Sequence, residues 1–234
     1  MKLIRIRAIS VIIALLLLGS RHSLGQDFVN LNFASATIVP VAGATYGRVE
    51  FAAAFPGWTG YTGTNIATLA LYDNIFLDSS GIGIIDPIPS IPIDVTAVLQ
   101  AGFGLDTFQS ENTILSQTGV VPDGTQSLIF DADYEGSANS FAVALNGQML
   151  PLIPLSTDAS GYTEYGASIG SWADQTATLS FTVLAQVPHL DDNTLYLKDI
   201  QFSTSPVPEP GSIALLCMLV GLSLAWRGQN NVRA

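Results

Sequence analysis

The sequence predicts an all-β fold, a β-sandwich over residues 27–205 that stands between two apolar ends. Within these residues the apolar side chains come in short segments, rich in β-branched residues and often alternating with polar ones. Gly, Pro, Asn and Asp interrupt the segments, and no stretch of ten residues has the spacing of an amphipathic helix. The only cysteine, Cys217, lies in the C-terminal apolar run, so packing or bound ions must stabilise the domain without disulfides.

The alternation predicts strands along the whole domain. Between Ala177 and Leu184, hydroxyl side chains alternate with apolar ones, which predicts one solvated and one buried face. Asn146-Gly147 separates two apolar segments and predicts a two-residue hairpin turn. The Pro-rich segment 86–92 predicts a stiff surface loop, because the chain before it is too short to close a sandwich alone. The candidate strands are Phe28–Phe33, Thr37–Val41, Ala67–Tyr72, Ile82–Ile85, Ile93–Leu99, Thr113–Thr118, Ser127–Asp131, Phe141–Leu145, Leu150–Leu155, Tyr162–Tyr165, Ala177–Leu184 and Thr194–Phe202.

Charge is divided unequally between the domain and the ends. Residues 27–205 hold eighteen of the nineteen acidic residues but only Arg48 and Lys198 of the eight basic ones, a formal net charge of −16. Nucleic acid is therefore not expected as a partner, since phosphate binding needs clustered Lys and Arg. A solvated acidic surface that repels anionic surfaces and attracts cations is the direct consequence.

The N-terminal residues, 1–25, have the three parts of a secretory signal peptide. The n-region is positive (Lys2, Arg5, Arg7), the h-region covers residues 8–19, and the small-residue cleavage site is Ser23-Leu24-Gly25. An uncleaved N-terminal anchor is the alternative, but the apolar region is short for a membrane span. We therefore expect an exported protein.

The C-terminal residues, 206–234, form a tail of three parts: a proline cluster, an apolar helix at 211–226 and a basic end at 227–234. The prolines cannot continue the preceding strand. The apolar run 213–226, fourteen residues long, rises about 21 Å as a helix, against a hydrocarbon core about 30 Å thick, so a membrane span is marginal. A buried C-terminal helix of the domain is the alternative, but the run has no polar face.

This tail resembles the PEP-CTERM sorting signal of Gram-negative bacteria, which an exosortase recognises. The resemblance implies a sorting motif at Val207, Pro208, Glu209 and Pro210. It also implies transient anchoring in the inner membrane and delivery to the cell surface or extracellular matrix, with exosortase and exopolysaccharide as partners.

Two segments of the domain, Ala167–Thr176 and Leu195–Ile200, resemble the galactose-binding-like jelly roll of many carbohydrate-binding and surface modules. The resemblance implies a jelly-roll β-sandwich. Such modules often hold a structural calcium between an acid near the first strand and an acid in the last. Asp199 matches the second position, whereas Ala34 stands where the first acid is common.

A second calcium candidate is the string from Asp131 through Asp133 and Glu135 to Gly136. Three carboxylates at alternate positions before Gly are typical of the opening of a calcium-binding loop. The bidentate acid expected at the twelfth position is Ala142, and a strand that ends in an acidic turn explains the string equally well. No other cofactor is predicted.

The Gly-rich segment Phe55–Gly63 offers a candidate ligand site, because exposed rings of Trp58 and Tyr61 would stack on the faces of sugars. The alternative is that these rings plug the end of the sandwich.

The segment Gly166–Gly170 matches a nucleophile elbow around Ser168, with Asp174 and His189 following in triad order. An elbow needs a helix after its serine, whereas a predicted strand begins soon after this one. We therefore expect an exported, non-catalytic protein of the surface or matrix, sorted through its tail. A carbohydrate-binding module is the alternative, and a glycoside-active sandwich enzyme that uses two of the many carboxylates is a further one.

Overall fold

The computed structural model of the protein describes residues 26–43, 47–73, 79–85, 94–104, 107–136, 140–186 and 193–207. The predicted signal peptide, the predicted Pro-rich loop, His189 and the tail from Pro208 onward lie outside these ranges. Within the ranges, no helix has the length and apolar character that crossing a membrane requires.

The described residues form short and long β-strands, one helical turn and one 3₁₀ turn, which confirms the all-β prediction. The strands are β1 (Arg48–Glu50), β2 (Thr59–Thr62), β3 (Asn65–Ile66), β4 (Leu69–Tyr72), β5 (Gly81–Ile85), β6 (Thr96–Phe103), β7 (Ser110–Glu111), β8 (Thr113–Val120), β9 (Ser127–Glu135), β10 (Phe141–Leu145), β11 (Gln148–Met149), β12 (Ile153–Thr157), β13 (Thr163–Ser168), β14 (Thr176–Val183) and β15 (Asn193–Ser203). The helix α1 is Phe51–Ala54, and the 3₁₀ turn is Gly170–Trp172.

The strands form two sheets. The large sheet has the order β1-β4-β5-β6-β15-β9-β13-β12, with β7 also paired to β6, and the small sheet has the order β11-β10-β14-β8-β2-β3. Neighbouring strands run antiparallel, apart from the parallel pair β4 and β5. From β8 onward, the long strands alternate between the sheets: β8, β10 and β14 belong to the small sheet, and β9, β13 and β15 to the large one.

The core lies between the two sheets, because each long strand turns one apolar face inward. In β14 every second residue is buried, as the sequence predicts for a half-buried strand. Phe181 of β14 meets Phe130 of β9 edge to face, with ring centroids 5.2 Å apart. Burial of one side chain of this size contributes about 1.5–3 kcal/mol to the free energy of unfolding.

The predicted hairpin at Asn146-Gly147 is confirmed. Both residues have positive φ, 47° and 77°, as a tight two-residue turn between β10 and β11 requires. The Asn146 side chain also accepts a hydrogen bond from the Thr178 amide at 2.7 Å, which ties the turn to β14.

The first two predicted strands, Phe28–Phe33 and Thr37–Val41, are not strands. Asn30 and Phe33 adopt φ of 52° and 57°, and such left-handed residues break an extended chain. A side chain attaches the first of these segments instead: the Gln117 amide accepts from Val29 N–H at 2.7 Å and donates to Val29 O at 2.9 Å. The second makes an isolated bridge, Pro40 with Val49 of β1. The unpredicted strands β1, β2 and β3 have two to four residues, too few to show a period.

Candidate functional site

An open groove lies where the first elements of the two sheets meet. One wall is formed by α1 and β1, and the other by the β2–β3 hairpin and its link to β4. A backbone hydrogen bond joins the two walls, from Phe51 N–H to Thr68 O at 3.0 Å, and another, from Ala67 N–H to Gly60 O at 2.9 Å, holds the second wall together. The walls are therefore fixed to both sheets, and the groove is a built part of the fold.

The groove has a volume of about 570 Å³ and a mainly apolar lining. Its apolar lining residues are Val41, Phe51, Ala52, Trp58, Gly60, Ile66, Ala67 and Leu69. The polar ones are Glu50, Thr59 and Thr68, all of which are exposed. Ile66 is 64% exposed, so a large apolar side chain stands open to solvent beside a carboxylate and two hydroxyls. An apolar floor with a few polar groups is the usual composition of a small-molecule site.

Trp58 does not present its ring to solvent. It is only 5% exposed, and its ring packs 5.7 Å from Phe33 and 6.4 Å from Phe181. Its Nε1–H donates to Asn30 O at 3.1 Å, which satisfies the one polar group of the ring inside the core. The prediction of Trp58 as an exposed stacking ring is therefore wrong. The ring fills the end of the core and supplies an edge to the groove.

Tyr61 lies on β2 and is half-buried, opposite Ile114 of β8 and Ile66 of β3. It does not line the groove that Trp58 borders. Its role in ligand binding stays a prediction.

Asp131, Asp133 and Glu135 lie on one extended strand, because β9 continues to Glu135. Alternate residues of a strand point to one face and stand about 7 Å apart, whereas a calcium loop curls its carboxylates around one ion. The prediction of a calcium loop at these residues is therefore wrong. Across the described parts of the chain, no group of three or more His, Cys, Asp or Glu residues could hold a metal ion.

The acidic row on β9 faces a polar row on β15. Lys198 stands opposite Asp131, and Tyr196 opposite Asp133. Burial raises the pKa of both aspartates, and at Asp131 the Lys198 ammonium opposes this rise. Burial, followed by the charges of Glu135 and Asp133, raises the pKa of Tyr196 to about 12. These shifts describe a crowded acidic surface in which Lys198 is the balancing charge.

Lys198 is shared among several partners on this face. Its ammonium lies 3.5 Å from Asp94 and 4.5 Å from the centre of the Tyr162 ring. The Lys198 ammonium therefore interacts with carboxylates and an aromatic ring of its own domain. These contacts within the domain account for the position of Lys198 on the outer face of β9 and β15.

Asp199 lies in a bulge of β15 with φ of 51°. The next residue, Ile200, donates its N–H to Leu31 O at 3.2 Å, so the last strand does lie beside the first described segment. Next to this contact the segment offers Asn32 and Ala34, and its carboxylate, Asp27, is bridged to Val120 of β8. A calcium bound by Asp199 stays a prediction.

Ser168 ends β13 and is exposed. The 3₁₀ turn Gly170–Trp172 and then β14 follow it, so the local structure is strand, turn, strand. A nucleophile elbow requires an α-helix after its serine, and the described residues from Ser168 to β14 contain none.

Sequence reasoning did not find Glu50, Ile66 and Leu69 as parts of one groove. They come from separate short elements, and each alone is an ordinary surface residue. The sequence offers one signal, the apolar Ile66 next to a turn, but it does not show which residues lie near Ile66 in the fold.

No family model matches this chain, and no curated protein matches it. Among solved structures the chain is similar to TmCBM61, whose structure in complex with beta-1,4-galactotriose is known at 1.4 Å resolution. The two share 11% identical residues over 64% of this chain and 89% of that one, with a TM-score of 0.38.

Proposed function

We propose that the β-sandwich is a non-catalytic carbohydrate-binding domain and that the groove between α1, β1 and the β2–β3 hairpin is its ligand site. The observation that carries the proposal is the groove itself: about 570 Å³, with the exposed apolar side chains of Ile66 and Leu69 in one lining with the carboxylate of Glu50. A pyranose has the same two-sided character, an apolar C–H face and a rim of hydroxyls. The volume lies within the range of about 300–1,000 Å³ that ligand pockets occupy.

Binding rather than hydrolysis is supported by the number of carboxylates in the groove. Hydrolysis of a glycosidic bond ordinarily needs a pair of carboxyl groups on either side of the bond. Glu50 is the one carboxylate among the lining residues that the structure describes. The alternative of a glycoside-active enzyme is for this reason the weaker proposal.

The expected ligand is a neutral polysaccharide. A domain with a formal charge of −16 repels polymers of uronic acids or sulfated sugars, and it has only Arg48 and Lys198 to pair with them. Exopolysaccharide is the proposed partner in the setting that the tail implies.

The test is retention of the protein on a panel of neutral and acidic polysaccharides. We expect Ile66→Ala and Glu50→Gln each to weaken binding about tenfold, because one removes apolar contact and the other a charged acceptor. The matched control is Met149→Ala, which shortens a side chain that is also exposed, 61%, but lies on β11. The absence of retention on every polymer would contradict the proposal, as would equal losses in all three variants.

We further propose that the protein is exported, that an exosortase recognises Val207, Pro208, Glu209 and Pro210, and that the mature protein resides at the cell surface or in the matrix. The ordered combination of proline motif, apolar run and basic end supports this. Mass spectrometry of the mature C-terminus, with and without the exosortase, tests it. An intact tail in both strains would contradict the sorting proposal.

The finer fold family that we propose is the galactose-binding-like jelly roll. The contact between Ile200 and Leu31 supports it, because that class brings its last strand beside its first segment. The melting temperature tests calcium at Asp199: a shift with millimolar calcium or a chelator would support a bound ion, and an unchanged melting temperature would contradict it.

A further inference from the structure

After its last strand, the chain turns back across the large sheet. The Ser127 hydroxyl donates to Ser205 O at 2.7 Å, and Gln126 N–H donates to Ser203 O at 2.8 Å. Ser127 begins β9 and is fully buried. The residues that follow β15 are therefore held against the start of β9.

Two residues further on, Val207 is buried against β13 and β12. It is 7% exposed, and a Cβ built on Gly166 of β13 would stand 2.8 Å from Val207 Cγ2 and 3.2 Å from Cγ1. Leu155 Cδ1 of β12 lies 3.1 Å from the same point. We call the space formed by Gly166 and Leu155 the Val207 seat.

The seat lies on the outer face of the large sheet. Tyr165 stacks on the core residue Phe130, with ring centroids 5.6 Å apart, so the adjacent Gly166 faces the opposite way. Gly166 has no positive φ that would demand glycine. What requires a glycine there is the space that the valine occupies.

We propose that the Val207 seat controls access to the sorting motif. While Val207 is seated, the first residue of the motif is covered by the domain, and an enzyme that reads Val207 to Pro210 must first draw this side chain out. The inference rests on the proposed sorting function. It assigns Gly166 and Leu155 a positioning role that the motif sequence alone does not contain.

The contact is large enough to matter. Burial of a valine side chain shifts a two-state equilibrium by about ten- to hundredfold, so a seated Val207 is exposed only a small fraction of the time. An added methyl group at Gly166 overlaps both Val207 and Leu155, and overpacking of this kind displaces the more weakly held partner. That partner is Val207, because it lies outside the strands.

The first experiment measures how accessible position 207 is in the detergent-solubilised full chain. Cys217→Ser removes the natural thiol, Val207→Cys introduces one, and the rate of maleimide labelling is followed. We expect about tenfold faster labelling when Gly166→Ala is added. The matched control is Gly170→Ala, where the nearest heavy atom to an added Cβ is 3.7 Å away, and it should leave the rate unchanged.

A second variant, Leu155→Ala, keeps the proposal testable if the Gly166→Ala protein fails to fold. Leu155 is 37% exposed on an edge strand, so its truncation leaves the core intact while it opens the seat from the other side. It should accelerate labelling in the same direction. Fast labelling that is equal in all backgrounds would overturn the seat.

The second experiment follows removal of the tail in producing cells, in chains with the motif intact. We expect Gly166→Ala to speed removal and Gly170→Ala to leave its rate unchanged. If removal is equally fast in all variants whose labelling differs, the control of access is overturned and sorting stands. If the tail stays intact in every variant, sorting is overturned, and the labelling rates still decide whether the seat exists.

Discussion

Side-chain amides form hydrogen bonds with the backbone of the irregular segments of this domain. The Gln117 side chain makes both hydrogen bonds that a strand residue would otherwise make with Val29. The Asn112 side-chain oxygen likewise accepts a hydrogen bond from Ala185 N–H at 2.9 Å, at the point where the chain leaves β14. Each amide satisfies backbone groups in a segment that has no ladder partner.

Replacement of Gln117 by leucine should lower the free energy of unfolding by about 1–3 kcal/mol, because it leaves the N–H and the C=O of Val29 without partners. Equilibrium unfolding in urea measures the change. The control is Gln201→Leu, since Gln201 is exposed on β15 and its replacement should change little. Equal stability of the two variants would show that water replaces the amide at no cost.

At the scale of elements, the outer row of β9 is a place where the strand tolerates unfavourable charges. Asp131 and Asp133 both have raised pKa values because burial removes water from them. A carboxyl group with a higher pKa in the folded chain binds its proton more tightly there than in the unfolded chain. Its contribution to stability is therefore full below pH 3.8, the ordinary pKa, and is lost as the pH rises through the raised value.

Asp133→Asn should accordingly raise the melting temperature at pH 7 and bring no gain at pH 3, where the wild-type carboxyl group is itself neutral. Thermal unfolding at several pH values measures this. Asp123→Asn, in an exposed turn, serves as the control for the removal of one negative charge. A variant less stable than the wild type at pH 7 would mean that Asp133 is needed as an anion.

The long elements follow from the sequence because their alternation is long enough to specify a face. The segment Phe141–Leu145 and the turn after it are found where they are predicted. Acids at alternate positions fit both a strand and the opening of a calcium loop, so the string at Asp131 is ambiguous until its pairing with β15 is known. Trp58 is ambiguous for another reason: in a segment of few residues no period indicates which rings turn inward.

The groove lies beyond sequence reasoning because its walls come from β1, α1, β2, β3 and the link to β4. These elements are short, and contacts between the edges of two sheets bring them together. The spacing of residues along the chain does not predict which of these elements lie next to one another.

The whole domain is a single core that has no disulfide and carries a large excess of negative charge. Of its basic residues, Lys198 lies at the centre of the large sheet and Arg48 at its edge. Repulsion among the remaining carboxylates opposes compaction, and dissolved ions screen it.

Sodium chloride should therefore raise the melting temperature as its concentration goes from about 0.01 M to about 0.15 M, because the screening length falls from about 30 Å to about 8 Å. Differential scanning calorimetry measures the shift. Sorbitol at the same osmolality is the control and should have a much smaller effect. A melting temperature that falls with salt would indicate that favourable ion pairs dominate the domain.

The alternation of strands between the sheets has a consequence for biosynthesis. The final strand, β15, is the central partner of β6 and β9, so the large sheet stays divided until residue 203 has been made. Until then the strands β1-β4-β5-β6 and the strands β9-β13-β12 can pair only among themselves, and joining them requires contacts distant in sequence, which form slowly. The large sheet can therefore close only in a late step of folding, after β15 has been made.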